Sequence, residues 1–150
     1  MFRGINPLAL DNKGRLAVPT KYRERLQESC AGRLVVTIDL DRCLLVYPLP
    51  VWDEVEQKLI QLSSTNRQAR GLKRLLLGHA EECALDGQGR ILIPAPLREF
   101  AQLDKQVVLV GQGNKFELWD EPRWYQLRDQ WLAETGHDSD LPAAVESLSF

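Results

Sequence analysis

Nine residues, Asp11-Asn12-Lys13-Gly14-Arg15-Leu16-Ala17-Val18-Pro19, return 75 positions later as Asp86-Gly87-Gln88-Gly89-Arg90-Ile91-Leu92-Ile93-Pro94, alike in Asp, Gly, Arg, aliphatic pattern and Pro. A 150-residue chain that repeats itself at this spacing is built from two copies of one module. The match runs on as Tyr22-Arg23-Glu24 against Leu97-Arg98-Glu99. It resumes 72 residues apart, as Val35-Val36-Thr37-Ile38 against Val107-Val108-Leu109-Val110. Tyr47, Pro50 and Trp52 then fall opposite Trp119, Pro122 and Trp124. The expected organisation is a first module over 1–62, a basic linker helix over 63–78, a second module over 79–134, and a flexible acidic tail over 135–150.

Each copy reads as α+β and rich in β. Leu8 and Leu10, then Leu16 and Val18, alternate with other residues on either side of a glycine-containing loop, the pattern of a short hairpin with one buried face. Leu85, Ile91 and Ile93 repeat it. Pro19 and Pro94 stop the strand, and Thr20 is placed to cap a helix running to about Glu28. A second strand pair is predicted over Leu34–Ile38 and Cys43–Tyr47, and again over Gln106–Val110 and Lys115–Trp119. Trp52, Val55, Leu59 and Leu62 share one helical face, as do Trp124, Leu127 and Trp131, which makes the tryptophans core or subunit-contact residues rather than base-stacking platforms. In the linker, Arg67, Arg70 and Arg74 fall on one face of a helix, and Ala69, Leu72 and Leu76 on another.

Charge is unevenly spread. The formal net charge is only −2, but residues 1–33 hold seven basic side chains against three acidic ones, and residues 117–150 hold two against eight. Such asymmetry gives one end of the chain to a polyanion and repels the other. No apolar stretch approaches a secretory signal or a membrane span, so a cytoplasmic protein that does not enter the membrane is expected. Cys30, Cys43 and Cys83 are odd in number and lack a Cys-x-x-Cys pair, which argues against a disulfide framework or a thiolate metal site and for buried reduced thiols. His79 and His137 stand in no ligand-like spacing. Ser63-Ser64-Thr65 has no nucleophile-elbow context, and Gly111-Gln112-Gly113-Asn114 reads as a hairpin turn, so neither an enzyme nor a cofactor or metal site is expected.

The repeated loop carries the functional signal. Gly14 and Gly89 allow the positive φ of a tight reversal, while Asp11 and Asp86 stand where they can bridge to Arg15 and Arg90 and aim the guanidinium. These four residues, Asp11, Gly14, Asp86 and Gly89, shape the loops. A two-stranded ribbon fits the major groove, where Arg forms bidentate hydrogen bonds with guanine. The expected DNA contacts are therefore Arg15 to bases, Lys13 to a phosphate or base acceptor, Arg3, Lys21 and Arg23 to phosphates, and Arg90 from the second loop. One loop makes few contacts, so tight binding needs several loops arrayed on repeated sites.

The tandem Asp-x-Lys-Gly-Arg and Asp-x-Gln-Gly-Arg loops, each followed by aliphatic residues and Pro, together with the start Met-Phe-Arg-Gly, resemble the MraZ family within the AbrB-like swapped-hairpin superfamily. The likeness runs through Trp131. It implies two swapped-hairpin modules related by a pseudo-two-fold, assembled into a ring-shaped homo-oligomer. It also implies a nucleoid-associated transcription factor binding direct repeats in double-stranded promoter DNA, its own promoter included, upstream of the division and cell-wall gene cluster. A ring parked on such repeats obstructs polymerase, so a repressor is expected. The competing reading is an antitoxin-like or scaffold module that binds a protein, with DNA incidental. Because the second loop has Gln88 in place of Lys13 and lies near Glu81 and Glu82, the first loop is expected to be the stronger DNA contact and the second to serve mainly assembly.

Overall fold

The computed structural model describes residues 1–135 and 143–148. The first copy contributes β1 (Ile5–Ala9), β2 (Arg15–Ala17), α1 (Thr20–Cys30), β3 (Arg33–Ile38), β4 (Leu44–Pro48) and α2 (Leu49–Gln61). Helix α3 (Arg67–Gly78) follows. The second copy contributes β5 (Glu81–Ala84), β6 (Arg90–Leu92), α4 (Ala95–Phe100), β7 (Gln106–Gly111), β8 (Phe116–Asp120) and α5 (Glu121–Thr135), and Ala143–Glu146 form one further helical turn, α6. Most of the acidic tail expected over 135–150 lies outside the described residues.

The two copies exchange strands. Six strands form one antiparallel sheet in the order β1-β7-β8-β4-β3-β5, and β2 and β6 form a separate two-stranded ribbon. Strand β1 therefore pairs with the second copy, Ile5 opposite Val110, and β5 pairs with the first, Arg33 opposite Ala84. A pseudo-two-fold axis passes between Leu45 and Glu117 in the sheet and between Leu16 and Ile91 in the ribbon, where the register is its own mirror. The local hairpin reading needs correction accordingly. Beyond one bridge from Leu10 to Leu16, the two arms of each loop part, one into the sheet and one into the ribbon.

Register corrects a second expectation. Val35 faces Tyr47 and Val108 faces Trp119, so β3 corresponds to β7 at an offset of 73 residues, one more than the 72 that the sequence suggests. A one-residue slip moves every side chain to the other face. Here Val35, Val36, Val107 and Val108 are all buried, because both faces of the sheet are covered, and no alternation fixes the phase.

One face of the sheet closes a core containing Leu16, Leu26, Leu34, Val36, Ile91, Leu97, Leu109 and Phe116, drawn from both copies. On the other face, Val35, Leu45, Tyr47, Trp52 and Leu59 pack beneath α2 and α3. Cys43, Val108, Val110, Trp119 and Trp124 pack beneath α5. Trp131 stacks edgewise on Trp119 and Trp124 at 5.9 and 5.7 Å, so all four tryptophans serve packing. Helix α3 starts at Asn66, whose side chain accepts from the Ala69 N–H at 3.1 Å, and is docked where the buried Thr37 hydroxyl donates to the Leu76 carbonyl at 2.7 Å. Thr20 does not cap α1. Pro19 occupies that position without a side-chain bond, its ring fixing the entry angle instead. Cys43 and Cys83 are buried free thiols, Cys83 pushed up to about 11 chiefly by burial, and Cys30 is free and half-buried. At the sheet margins, β1 carries Pro7 and β5 carries Glu81 and Glu82, residues that discourage further strand addition.

Candidate nucleic-acid interface

Each loop is organised around its aspartate. In loop 1, residues 11–15, the Asp11 carboxylate accepts from the backbone N–H of Lys13 at 3.0 Å and of Arg15 at 2.8 Å, and from Arg15 Nε at 2.6 Å. The chain reverses through Gly14 N–H to the Asp11 carbonyl at 3.0 Å, with Gly14 at φ +83°. Loop 2, residues 86–90, repeats every contact. Asp86 accepts from Gln88 N–H at 2.8 Å, Arg90 N–H at 2.9 Å and Arg90 Nε at 3.0 Å, with Gly89 at φ +74°. The left-handed glycine is what a three-residue hairpin loop with a bulge demands.

Donation from the backbone N–H of Arg15, aided by the guanidinium and the Lys13 N–H, holds the Asp11 carboxyl down at about 2. The Arg90 N–H leads the same effect at Asp86, also downward. Both aspartates are therefore fixed anions at neutral pH. Each binds its arginine through Nε, and among the described residues neither guanidinium makes a hydrogen bond beyond its aspartate, so the Nη donors are uncommitted.

The ribbon brings the two arginines together. Arg15 lies opposite Leu92, Leu16 opposite Ile91 and Ala17 opposite Arg90. Side chains alternate across a strand, so Leu16 and Ile91 plug the core while Arg15, Ala17, Arg90 and Leu92 share the outward face. Arg15 and Arg90 are diagonal neighbours, about 7–8 Å apart at the backbone. The loops stand at the two ends of this ribbon, because Gly14 O accepts from Ile93 N–H and Gly89 O accepts from Val18 N–H, each at 3.0 Å.

The other expected contacts divide. Lys13 is exposed at the tip of loop 1. Arg3 and Lys21 gather with Arg25 around a depression of about 260 Å³ that also borders Tyr22. Lys21 lies 4.9 Å over the Tyr22 ring, and the Tyr22 hydroxyl donates to the Arg3 carbonyl. Arg23 sits against loop 2: its Nε donates to the Val18 carbonyl at 2.6 Å, and its guanidinium covers Gly89. Arg98 does the same for loop 1, donating to the Ile93 carbonyl at 3.0 Å and covering Gly14, beside a depression of about 210 Å³ that Lys105 also borders. Neither Arg98 nor Arg25 is among the DNA contacts expected from the sequence. For Arg98 the signal was present in the match of Tyr22-Arg23-Glu24 to Leu97-Arg98-Glu99.

Elsewhere, Asp39, Cys43 and Glu117 bring potential ligand atoms within 4.8 Å of one another. Burial, followed by the nearby Glu117 and Asp39 carboxylates, pushes the Cys43 thiol far up, so it stays protonated and donates to Asp39 at 3.7 Å. No described helix is long and apolar enough to cross a membrane.

Comparison with known proteins agrees with this architecture. The family described as "MraZ protein, putative antitoxin-like" matches residues 1–75 and again 76–141. The chain is 60% identical over 149 residues to the transcriptional regulator MraZ of Thioalkalivibrio sulfidiphilus, covering 99% of each. It is 62% identical over 149 residues to that of Nitrosospira multiformis, again covering 99% of each, and 57% identical to that of Methylococcus capsulatus over the full length of both. The strand-exchanged double module with its two aspartate-pinned loops therefore belongs to the MraZ family.

Proposed function

We infer that this chain is a sequence-specific DNA-binding transcriptional regulator that reads promoter DNA with the outward face of the β2–β6 ribbon. One observation carries the reading: two loops pinned alike by an aspartate close opposite ends of one ribbon and leave Arg15 and Arg90 as diagonal neighbours on its exposed face. A two-stranded ribbon with one exposed face suits the major groove, and a guanidinium held by Nε keeps an edge for the acceptors of guanine. Lys13 at the loop tip, and Arg3 and Lys21 beyond, supply phosphate contacts that add affinity and salt dependence, while Arg23 is held against loop 2.

The exposed face offers only two arginines in this register, too few for tight binding by one chain. A ring of copies engaging direct repeats supplies the missing affinity by raising effective concentration. In this reading the protein is a cytoplasmic, nucleoid-associated repressor of its own promoter and of the division and cell-wall gene cluster behind it. The test is a titration against its own upstream DNA and a scrambled duplex at fixed salt. Preference for the upstream fragment, lost when the direct repeats are respaced, is expected. Equal affinity for both duplexes would overturn promoter reading in favour of a module that binds a protein.

A further inference from the structure

Ile93 is held through both of its peptide groups. Its N–H donates to the Gly14 carbonyl at 3.0 Å, and its own carbonyl accepts from Arg98 Nε at 3.0 Å. The same guanidinium lies flat against loop 1, where a Cβ on Gly14 would come within 2.6 Å of Arg98 Cζ. In the other half, Val18 N–H donates to the Gly89 carbonyl at 3.0 Å, and the Val18 carbonyl accepts from Arg23 Nε at 2.6 Å. A Cβ on Gly89 would clash with that guanidinium. Each arginine occupies the fourth position of the helix that begins after Pro19 or Pro94, five residues beyond the carbonyl it grips.

We propose that Arg98 and Arg23 are positioning residues for the DNA reader that act across the copies: Arg98 of the second copy sets the loop bearing Arg15, and Arg23 of the first sets the loop bearing Arg90. The inference rests on reading the ribbon as the DNA-facing surface. A planar guanidinium seats over a glycine because no Cβ intervenes, and its charge-assisted bond to the clamp residue's carbonyl fixes the strand end from which the loop hangs. Base contacts demand placement of the arginine to a fraction of an ångström, so loosening the latch costs discrimination even where the loop stays folded. Beyond its Nε bond, neither Arg23 nor Arg98 makes a hydrogen bond among the described residues. Their conformations thus depend on the loop they cover.

The experiment uses the full chain and two readouts. In binding titrations on its own upstream DNA and a scrambled duplex, Arg98→Lys and Arg98→Ala are expected to lower the preference for the upstream fragment about tenfold. Lysine keeps the charge, so its salt slope should match the wild type. In double-mutant cycles Arg98→Ala should add little to Arg15→Ala and its full effect to Arg90→Ala, and Arg23→Ala should show the converse. The proposal is overturned if Arg98→Lys keeps the wild-type preference, if the effects simply add, or if they couple within each copy. Amide NMR judges the latch without DNA. Arg98→Lys should shift the Gly14 resonance and leave Gly89 in place, and an unmoved Gly14 in a variant of unchanged melting temperature overturns it. If Arg15→Ala and Arg90→Ala both retain full preference, the ribbon reading itself falls, whatever the amide shifts show.

Discussion

Loop 1 and loop 2 make the same three contacts to their aspartate carboxylates and the same backbone reversal, yet they stand in different company. Loop 1 has Lys13 at its tip and is backed by the short helix α4, with Arg98 and Lys105 close by. Loop 2 has Gln88 at its tip and is backed by α1, the helix that carries Lys21 and Arg25 as well as Arg23. Read along the chain, the cations of residues 1–33 belong to loop 1. In the fold, exchange of strands hands α1 to loop 2. Glu82, which made the surroundings of loop 2 look acidic, is paired with Arg33 at 2.6 Å on edge strand β5. Charge counted along a sequence is therefore a poor guide to the charge a loop meets when two copies interpenetrate.

The comparison breaks most visibly at the arginines. If the loops are equivalent readers, Arg15→Ala and Arg90→Ala should each cost on the order of 1–3 kcal/mol of specific binding, with nonspecific binding nearly unchanged. Fluorescence titration on upstream DNA measures both. A full loss from Arg15→Ala beside a silent Arg90→Ala would show that loop 2 has an assembly role only, and a change in oligomer size by light scattering would then accompany its removal.

Next in size are the glycines. Gly14→Ala and Gly89→Ala force a side chain into the left-handed region and displace the guanidinium above, at a cost of about 1–2 kcal/mol each from the backbone alone. Thermal unfolding should show similar losses, because the two positions have nearly the same φ and the same cover. A markedly smaller loss at Gly89, which is less buried than Gly14, would place the difference between the loops in packing rather than in charge.

Much of this was legible in the sequence because the repeat carries it. Asp11, Gly14 and Arg15 recur as Asp86, Gly89 and Arg90, and short-range geometry fixes what such residues do within five positions. The elements themselves were also legible, since Pro19, Pro94 and the turn residues punctuate them. What stayed hidden depends on contacts distant in sequence. The departure of β1 and β2 into different sheets is decided by the second copy's strands, which supply the partners for Pro7 and Leu16. The phase of β3 against β7 was unreadable because both faces of those strands are buried. Arg98 was visible as a repeated residue but not as a latch, since the glycine it covers lies 84 positions away.

A smaller effect comes from the loop tips. Gln88→Lys gives loop 2 the cation of loop 1, and Lys13→Gln removes it from loop 1. If both tips face DNA, the first should steepen the slope of log affinity against log salt by about 0.9 and the second should flatten it equally. The pair also serves as a control on the arginine result. A tip lysine that changes the slope only in loop 1 means that loop 2 points away from the duplex.

The finest distinction is in acid. Asp11 is held at about 2, and Asp86 is lowered too, each chiefly by the backbone N–H of its loop arginine. Both carboxylates are stabilised by donors present only in the folded loop, so their folded pKa lies below the unfolded value of about 3.9. Such groups support the fold above that value and lose their contribution as pH falls through the folded pKa. Between pH 5 and 2, then, loop 2 should take up its proton first, and the Gly89 amide should titrate at higher pH than the Gly14 amide. The arginine's bonds are shorter in loop 1, 2.8 Å against 2.9 Å from the backbone N–H and 2.6 Å against 3.0 Å from Nε, and the expected order rests on them. The reverse order, or coincident titrations, would mean that the latching arginine above each loop, rather than the bridge within it, sets how firmly the aspartate is held.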